Sequence, residues 1–308
     1  MADGAGAGLC HARLADGEDE LVSNVPPDAR FPWWSFTKCA IAACSLILAS
    51  RGRLSLDKPV PGRAFTLRQL LGHRAGVPNY GSLPSYHAAV ERGEAPWSEP
   101  RLLEALDADR LLFEPGTGWA YSNVGYLFAR RLVEEASGLD LGETVRTLLC
   151  EPLGLSTVSI ARTPEDLAAT RWGNPCAYHP GWVYHGLLTG SAGDACRLLR
   201  AVLCGELLTE ACRRELLEPF PLGGAVPGRP WTRTGYGLGV MSGEMTRIGA
   251  AIGHSGVGPR DVCAIYRFPD APRPCIVAVF DESSTEDRAE HAAAAIALGA
   301  VSTSTAPA

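Results

Sequence analysis

The sequence predicts an α+β fold in which both ends of the chain contribute to one antiparallel sheet. Four strand-like segments follow each other at short intervals after Trp231, two short strands are expected near the N-terminus, and the middle of the chain is mainly helical. We therefore expect a mixed α/β sheet lobe from residues 1–55 and 230–308 and a mainly helical lobe from residues 56–229. Together they would form one domain, and the cleft between the two lobes is the favoured place for a ligand site.

The individual elements follow from hydrophobic periodicity and from turn and capping residues. An apolar helix is expected from Ser35 to Arg51, capped by Ser35 and ended by Gly52. The strands are expected at Leu9–Leu14, Glu20–Asn24, Tyr236–Met241, Arg247–Gly253, Val262–Phe268 and Cys275–Phe280. Further helices are expected at Thr66–Gly72, Glu99–Leu111, from Asn123 to Ser137, from Thr163, at Ala192–Leu203 and at Glu286–Leu298.

Composition excludes several classes of protein. The chain has 308 residues, a net charge of -6 and 46% hydrophobic residues, which is typical of a soluble enzyme or binding domain. Its basic residues form no stripe, so nucleic acid is not an expected partner. The longest apolar run, Cys39 to Ala49, is shorter than the ~20 residues of a membrane span.

The ten cysteines are scattered, with no CxxC and no Cys/His cluster at zinc-ligand spacing. We therefore expect no metal site and no cofactor, and cysteines that serve mainly as small hydrophobic residues in a reducing compartment. The N-terminus does not read as a signal peptide. The expected location is cytoplasmic, or periplasmic if the start codon lies upstream.

Three short motifs could carry chemistry. Ser35 and Lys38 form an S-x-x-K at the start of the apolar helix, where residues three apart share a face, so the lysine amine can reach the serine hydroxyl. A lysine desolvated there can act as a base. Only two of the 28 basic residues are lysines, Lys38 and Lys58, so the motif is unlikely to arise by chance. The alternative is a capping serine beside a lysine whose amine reaches solvent.

The other two motifs are Y-S-N at Tyr121–Asn123 and H-S-G at His254–Gly256. A tyrosine near a lysine can exchange protons with a nucleophile or leaving group, and an asparagine amide can hold a substrate carbonyl. Small residues at the end of a strand let a substrate backbone lie against its edge. The alternatives are a packed tyrosine ring, an N-capping asparagine and an ordinary strand-terminal turn.

In this order the three motifs resemble the active-site elements of the penicillin-recognising serine hydrolases. The branch with the greatest similarity contains class C β-lactamases, D-alanyl-D-alanine carboxypeptidases, D-aminopeptidases and esterases. The resemblance covers most of the chain and extends to Leu56, Asp57 and Pro59, the Thr66–Leu71 segment, His73, Pro115–Thr117 and Tyr236–Gly239. It implies a β-lactamase/transpeptidase-like fold and hydrolysis through an acyl-enzyme.

Position by position, the resemblance implies Ser35 as the acylated nucleophile, Lys38 as the group that activates it, and Tyr121 as partner base and later acid. Asn123, His254, Ser255 and Gly256 would bind substrate, and the backbone N–H groups of Ser35 and Val257 would form the oxyanion hole. The substrate would be a small ester, amide or D-amino-acid peptide.

Departures from the family pattern narrow this expectation. His254 replaces the lysine of K-T-G, which disfavours β-lactam hydrolysis. If a charged His254 holds a substrate carboxylate, kcat/KM should fall as pH rises through about 6.5. Trp33 and Trp34 either narrow the site or pack under the helix. His73 is interpreted as structural. A β-lactam hydrolase and a catalytically idle ligand-binding protein remain the alternatives.

Overall fold

An antiparallel sheet of eight strands holds the two ends of the chain together. The computed structural model describes residues 9–205 and 207–299. These residues contain eleven strands, which form two sheets. They are β1 (Cys10–Ala15), β2 (Leu21–Ser23), β3 (Arg30–Pro32), β4 (Ser159–Ala161), β5 (Leu187–Ser191), β6 (Phe220–Gly223), β7 (Trp231–Tyr236), β8 (Met241–Met245), β9 (Gly249–Val257), β10 (Val262–Phe268) and β11 (Cys275–Asp281). The large sheet has the order β2-β1-β11-β10-β9-β8-β7-β6, and β3-β5-β4 form a small second sheet. The predicted α+β fold and C-terminal meander are confirmed.

Helices cover the large sheet on both faces. They are α1 (Thr37–Ser50), α2 (Leu67–Leu71), α3 (Pro84–Glu91), α4 (Glu99–Ala105), α5 (Asn123–Ser137), α6 (Leu141–Val145), α7 (Glu151–Leu153), α8 (Pro164–Ala168), α9 (Ala192–Cys204), α10 (Glu210–Leu217) and α11 (Asp287–Ala297). Along β10, Val262, Ala264 and Tyr266 pack with α11, whereas Cys263 and Ile265 join the core that contains α1, α5 and α9. This alternation is that of a strand buried on both faces.

Helix α1 is the centre of the larger core. Its residues from Thr37 to Leu48 are all buried, as its uniformly apolar sequence predicts. Ser35 does not cap it, contrary to expectation. Ser35 lies in a 3₁₀ turn, Trp34–Phe36, that precedes the helix, and the N-cap position is Phe36 without a side-chain hydrogen bond. The serine hydroxyl is therefore not occupied by the helix backbone.

The strand expected at Tyr236–Met241 is wrong. Tyr236 ends β7, Met241 begins β8, and the residues between them form the turn. Gly239 has φ +78, and a Cβ there would lie 2.8 Å from the Lys38 carbonyl oxygen and 2.6 Å from Ala42 Cβ. The apolar alternation of this segment reflects a turn that packs against α1.

The sequence analysis also missed the small sheet and β6. The strands of the small sheet have only three to five residues, and β3 ends at a proline. β6 lies in the segment expected to be helical and pairs with β7. Among the described residues, no helix combines the length and apolar character needed to cross a bilayer.

Candidate active site

Ser35 Oγ lies between the two polar groups that the first two motifs predicted. Lys38 Nζ is 3.1 Å from it and Tyr121 OH is 2.8 Å from it. The 3₁₀ turn and the first turn of α1 carry Ser35 and Lys38, whereas Tyr121 comes from the loop before α5. Residues 86 positions apart are thus brought to one oxygen atom.

Local hydrogen bonds fix the loop that carries Tyr121. Ser122, and not Asn123, caps α5, since its Oγ accepts from Gly125 N. The Ser122 N–H donates to His73 Nδ1 at 3.1 Å, and Ser122 Oγ donates to Pro78 O. These contacts support the structural interpretation of His73.

Burial acts in opposite directions on the two groups beside Ser35. Lys38 has no exposed surface, and desolvation lowers its pKa well below the usual value. Desolvation raises the pKa of Tyr121, against the smaller lowering by its hydrogen bond to Ser35. Burial thus favours the neutral form of the Lys38 amine and the protonated form of the Tyr121 phenol.

Strand β9 passes beside the serine with its backbone. A Cβ on Gly256 would lie 2.6 Å from Ser35 N and 2.6 Å from Trp34 Cβ, so only glycine allows this approach. Gly256 and Val257 line the cavity that Ser35 opens into. The close approach sets the end of β9 beside the backbone of the serine turn.

The side chain of His254 is buried and neutral. Its Nε2 is 2.9 Å from Tyr236 OH and its Nδ1 is 2.5 Å from Ser255 O. Burial is the main cause that lowers its pKa to about 3, against the smaller raising by the hydrogen bond with the Ser255 backbone. This environment opposes the expectation of a charged His254 that holds a carboxylate.

Ser255 and Asn123 differ in how far their polar atoms are engaged. Ser255 Oγ donates to Glu290 Oε1 at 2.5 Å and is 2.7 Å from Tyr266 OH, so its hydroxyl is already bonded within the protein. Asn123 Oδ1 is buried and finds no hydrogen-bond partner among the described residues. Asn123 lines the same cavity as Ser35, and its amide remains available to a ligand.

Two cavities meet at Ser35. One, of about 430 Å³, has walls that include Trp119, Trp231 and Met241. The other, of about 480 Å³, has walls that include the aromatic side chains Tyr86 and Tyr178. Both cavities are mainly apolar. A ligand that contacts Ser35 could therefore place one group in each cavity.

The two tryptophans before Ser35 have different surroundings. Trp33 is fully buried and its Nε1 donates to Gly190 O, so it packs under the helix. Trp34 has φ +39, its Nε1 donates to Asp261 Oδ1, and its side chain lines the second cavity. Packing under the helix therefore applies to Trp33, whereas Trp34 is the tryptophan that narrows the space at Ser35.

The sequence analysis missed His185. This buried side chain places Nε2 3.2 Å from Lys38 Nζ. Its position, 147 residues after Lys38, follows from the pairing of β5 with β3. No motif in the sequence marks it, and only the unpredicted small sheet brings it into the site.

Several curated proteins are similar in sequence to this chain. Penicillin-binding protein 4* of Bacillus subtilis (strain 168) is 23% identical over 306 residues, covering 88% of this chain and 65% of that protein. Lovastatin esterase of Penicillium rubens is 37% identical over 116 residues, covering 37% of this chain and 29% of that protein. The chain thus spans less than two thirds of the length of these relatives. Esterase EstB of Burkholderia gladioli is 27% identical, covering 78% of this chain and 73% of EstB.

Solved structures share the fold over nearly the whole chain. A D-stereospecific amidohydrolase from Streptomyces sp. superposes with a TM-score of 0.77 and 24% identity, covering 94% of this chain and 92% of that one. A D-amino acid amidase from Ochrobactrum anthropi SV3 gives the same TM-score at 18% identity, covering 95% of each chain. A family model described as Beta-lactamase matches residues 8–300. With its motifs, its sheet and this match in agreement, the chain belongs to the beta-lactamase family.

Proposed function

We propose that this protein is a serine hydrolase that cleaves an ester or a small amide, including D-amino-acid amides, through an acyl-enzyme on Ser35. The observation that carries the proposal is the position of Ser35 Oγ, 3.1 Å from a buried lysine amine and 2.8 Å from a tyrosine hydroxyl. The names of the relatives and structural neighbours, among them two esterases and a D-amino acid amidase, support this reaction class.

The opposed pKa shifts support one assignment of the proton transfers. Neutral Lys38 accepts the Ser35 hydroxyl proton while Oγ forms a bond to the substrate carbonyl carbon. The N–H groups of Ser35 and Val257 stabilise the oxygen that becomes negative. When the tetrahedral intermediate collapses, Tyr121 gives its proton to the leaving group and regains one from the Lys38 ammonium. Water then attacks the acyl carbon of the ester and gives a proton to neutral Lys38, which passes it to Ser35 Oγ as the acid is released.

The charges that line the cavity favour substrates without a carboxylate. His254 is neutral, and Arg229, which lines the first cavity, already donates to Glu290 at 2.8 and 2.5 Å. A carboxylate on a β-lactam or peptide would therefore have to compete with Glu290 for the Arg229 guanidinium. We therefore propose esters and uncharged amides, rather than β-lactams, as the preferred substrates.

A fluorophosphonate probe tests the nucleophile. We expect the probe to label the folded protein at Ser35, as shown by peptide mapping, and the label to be absent in Ser35→Ala. Ser98→Ala is the matched control, because Ser98 is exposed and makes no capping hydrogen bond. A folded wild-type protein that is never labelled, or labelling that persists in Ser35→Ala, would contradict the proposal.

We expect His254 to contribute no ionisation to the pH profile between pH 5.5 and 8. Since its folded pKa is about 3, its imidazole stays neutral throughout this range. The measurement is kcat/KM for an uncharged p-nitrophenyl ester in wild type and in His254→Gln, and the limbs of the two profiles should coincide. A wild-type limb near pH 6.5 that disappears in His254→Gln would restore the charged histidine.

A further inference from the structure

The buried amine of Lys38 needs an acceptor once it has taken a proton. An ammonium group in a site without water is strongly destabilised unless it is paired or hydrogen-bonded. In the part of the chain that the structure describes, no carboxylate lies within 4.0 Å of Lys38 Nζ. Its polar contacts are Ser35 Oγ at 3.1 Å and His185 Nε2 at 3.2 Å.

The first of these acceptors is weakened by the reaction itself. When Ser35 Oγ bonds to the substrate carbon, it becomes an ether-type oxygen of the tetrahedral intermediate and accepts a weaker hydrogen bond from the ammonium. The rings of Tyr121 and Tyr126 lie 5.0 and 5.5 Å from Nζ and offer only cation–π contacts. His185 Nε2 is then the principal acceptor that remains.

The backbone holds His185 in fixed relation to the serine turn. His185 comes just before β5, and the intervening Gly186 has φ +94 in a tight turn closed by its N–H to Val183 O. In β5, Leu188 accepts from Trp33 N at 2.8 Å and donates to Thr37 Oγ1 at 3.1 Å. Leu188 therefore connects β5 both to the Trp33 backbone, which precedes Ser35, and to the Thr37 side chain, which follows Ser35.

Burial keeps the imidazole of His185 neutral. Desolvation lowers its pKa well below the usual value, and the positive charge of Arg130 acts in the same direction. None of the ionisable groups around Lys38 becomes negatively charged near neutral pH. These groups are Tyr121, Tyr126, His73, His254, His185, Cys39 and Cys263. A neutral ring has one acceptor nitrogen, and which one is set by its proton.

We propose that His185 is a positioning residue for the base, whose Nε2 accepts a hydrogen bond from Lys38 Nζ both before and after the proton transfer. The inference rests on the proposed serine hydrolase function. This role requires the ring proton on Nδ1, a buried atom that has no hydrogen-bond partner among the described residues, so the tautomer leaves one N–H unpaired. With one N–H directed at His185, the lone pair of the neutral amine is free to face Ser35 Oγ, and the ammonium that forms retains an acceptor. The opposite tautomer would donate into that lone pair and block it.

The test compares His185→Leu with His185→Gln, because glutamine retains an acceptor near the position of Nε2. The readout is the second-order rate constant for labelling of Ser35 by a fluorophosphonate, measured as a function of pH. We expect His185→Leu to lower the maximum labelling rate constant about 10- to 100-fold, because this is the effect of losing a hydrogen bond to a charged group. Its acidic limb should move to lower pH, because an ammonium without its acceptor loses its proton more readily. His185→Gln should restore most of the rate and the position of the limb.

His291→Leu is the control, since His291 is exposed on α11. Circular dichroism and thermal unfolding establish that each variant is folded. Labelling of His185→Leu at the wild-type rate with an unmoved limb would overturn the inference, as would a glutamine variant no better than leucine. Those results would leave the proposed function intact, whereas a wild-type protein that resists labelling would overturn both.

Discussion

Lys38→Met is expected to slow acylation of Ser35 by about 10²- to 10⁴-fold while making the protein more stable. The loss of rate follows from removal of the base at 3.1 Å from Ser35 Oγ. The gain in stability follows from burial: Lys38 is fully desolvated and faces no carboxylate among the described residues, so the folded state holds it at a cost. We expect the free energy of unfolding to rise by about 1–3 kcal/mol at pH 7.

The stability gain should depend on pH in a defined direction. The unfolded chain holds the lysine proton up to about pH 10.4, whereas the folded chain releases it at lower pH because burial lowers the pKa. Between these two values the unfolded state binds more protons, so wild-type stability falls as pH falls from about 10.4 toward the folded pKa. The advantage of Lys38→Met should therefore be larger at pH 7 than at pH 10.

Thermal unfolding at both pH values, with labelling kinetics on the same samples, measures both effects. Lys58→Met is the matched control, because Lys58 is the second lysine of the chain and is exposed. We expect it to change neither quantity. A Lys38→Met protein that is less stable than wild type at pH 7, or that is acylated at the wild-type rate, would contradict the account of Lys38 as a desolvated base.

Gly256→Ala is the second change for which we expect a large effect. The added Cβ would lie 2.6 Å from Ser35 N, 2.6 Å from Trp34 Cβ and 3.0 Å from Cys263 Sγ. Two of these atoms belong to the 3₁₀ turn that contains Ser35, so β9 and the turn must separate. Displacing one donor of the proposed oxyanion hole should cost about 10²- to 10³-fold in kcat. Overpacking should lower the free energy of unfolding by about 1–3 kcal/mol.

Gly224→Ala provides the comparison for this prediction. Gly224 is exposed, and the nearest atom to an added Cβ is the Thr232 carbonyl oxygen at 3.9 Å. Steady-state kinetics and thermal unfolding of both variants separate a general effect of alanine from the local clash. If Gly256→Ala kept wild-type kcat and stability, the close approach of β9 to the serine turn would not be required for activity.

The sequence was sufficient for those parts of the fold in which local pattern and tertiary environment agree. Strands β10 and β11 are apolar runs separated by turn residues, and α1 is predominantly apolar, in agreement with its nearly complete burial. The turn at Gly237–Val240 escaped prediction for the opposite reason. Its apolar residues Leu238 and Val240 are buried in the core that contains α1, so the segment has the composition of a strand without its geometry.

The candidate site divides in the same way. Ser35 and Lys38 are predictable because three residues of helical chain bring them together, and Tyr121 lies in a motif with a recognisable order. His185 depends on β5, a short strand whose partner ends in a proline, so no local pattern places it beside Lys38. The neutral state of His254 is likewise a consequence of burial, which a motif does not encode.

The central claim is a covalent acyl-enzyme on Ser35, and pre-steady-state hydrolysis of p-nitrophenyl acetate tests it most directly. The predicted result is a burst of p-nitrophenol stoichiometric with enzyme, with the acetyl group found on the Ser35 peptide after rapid acid quench. Turnover without any acetylated intermediate, or acetyl groups on another residue in a protein still active after Ser35→Ala, would contradict the account.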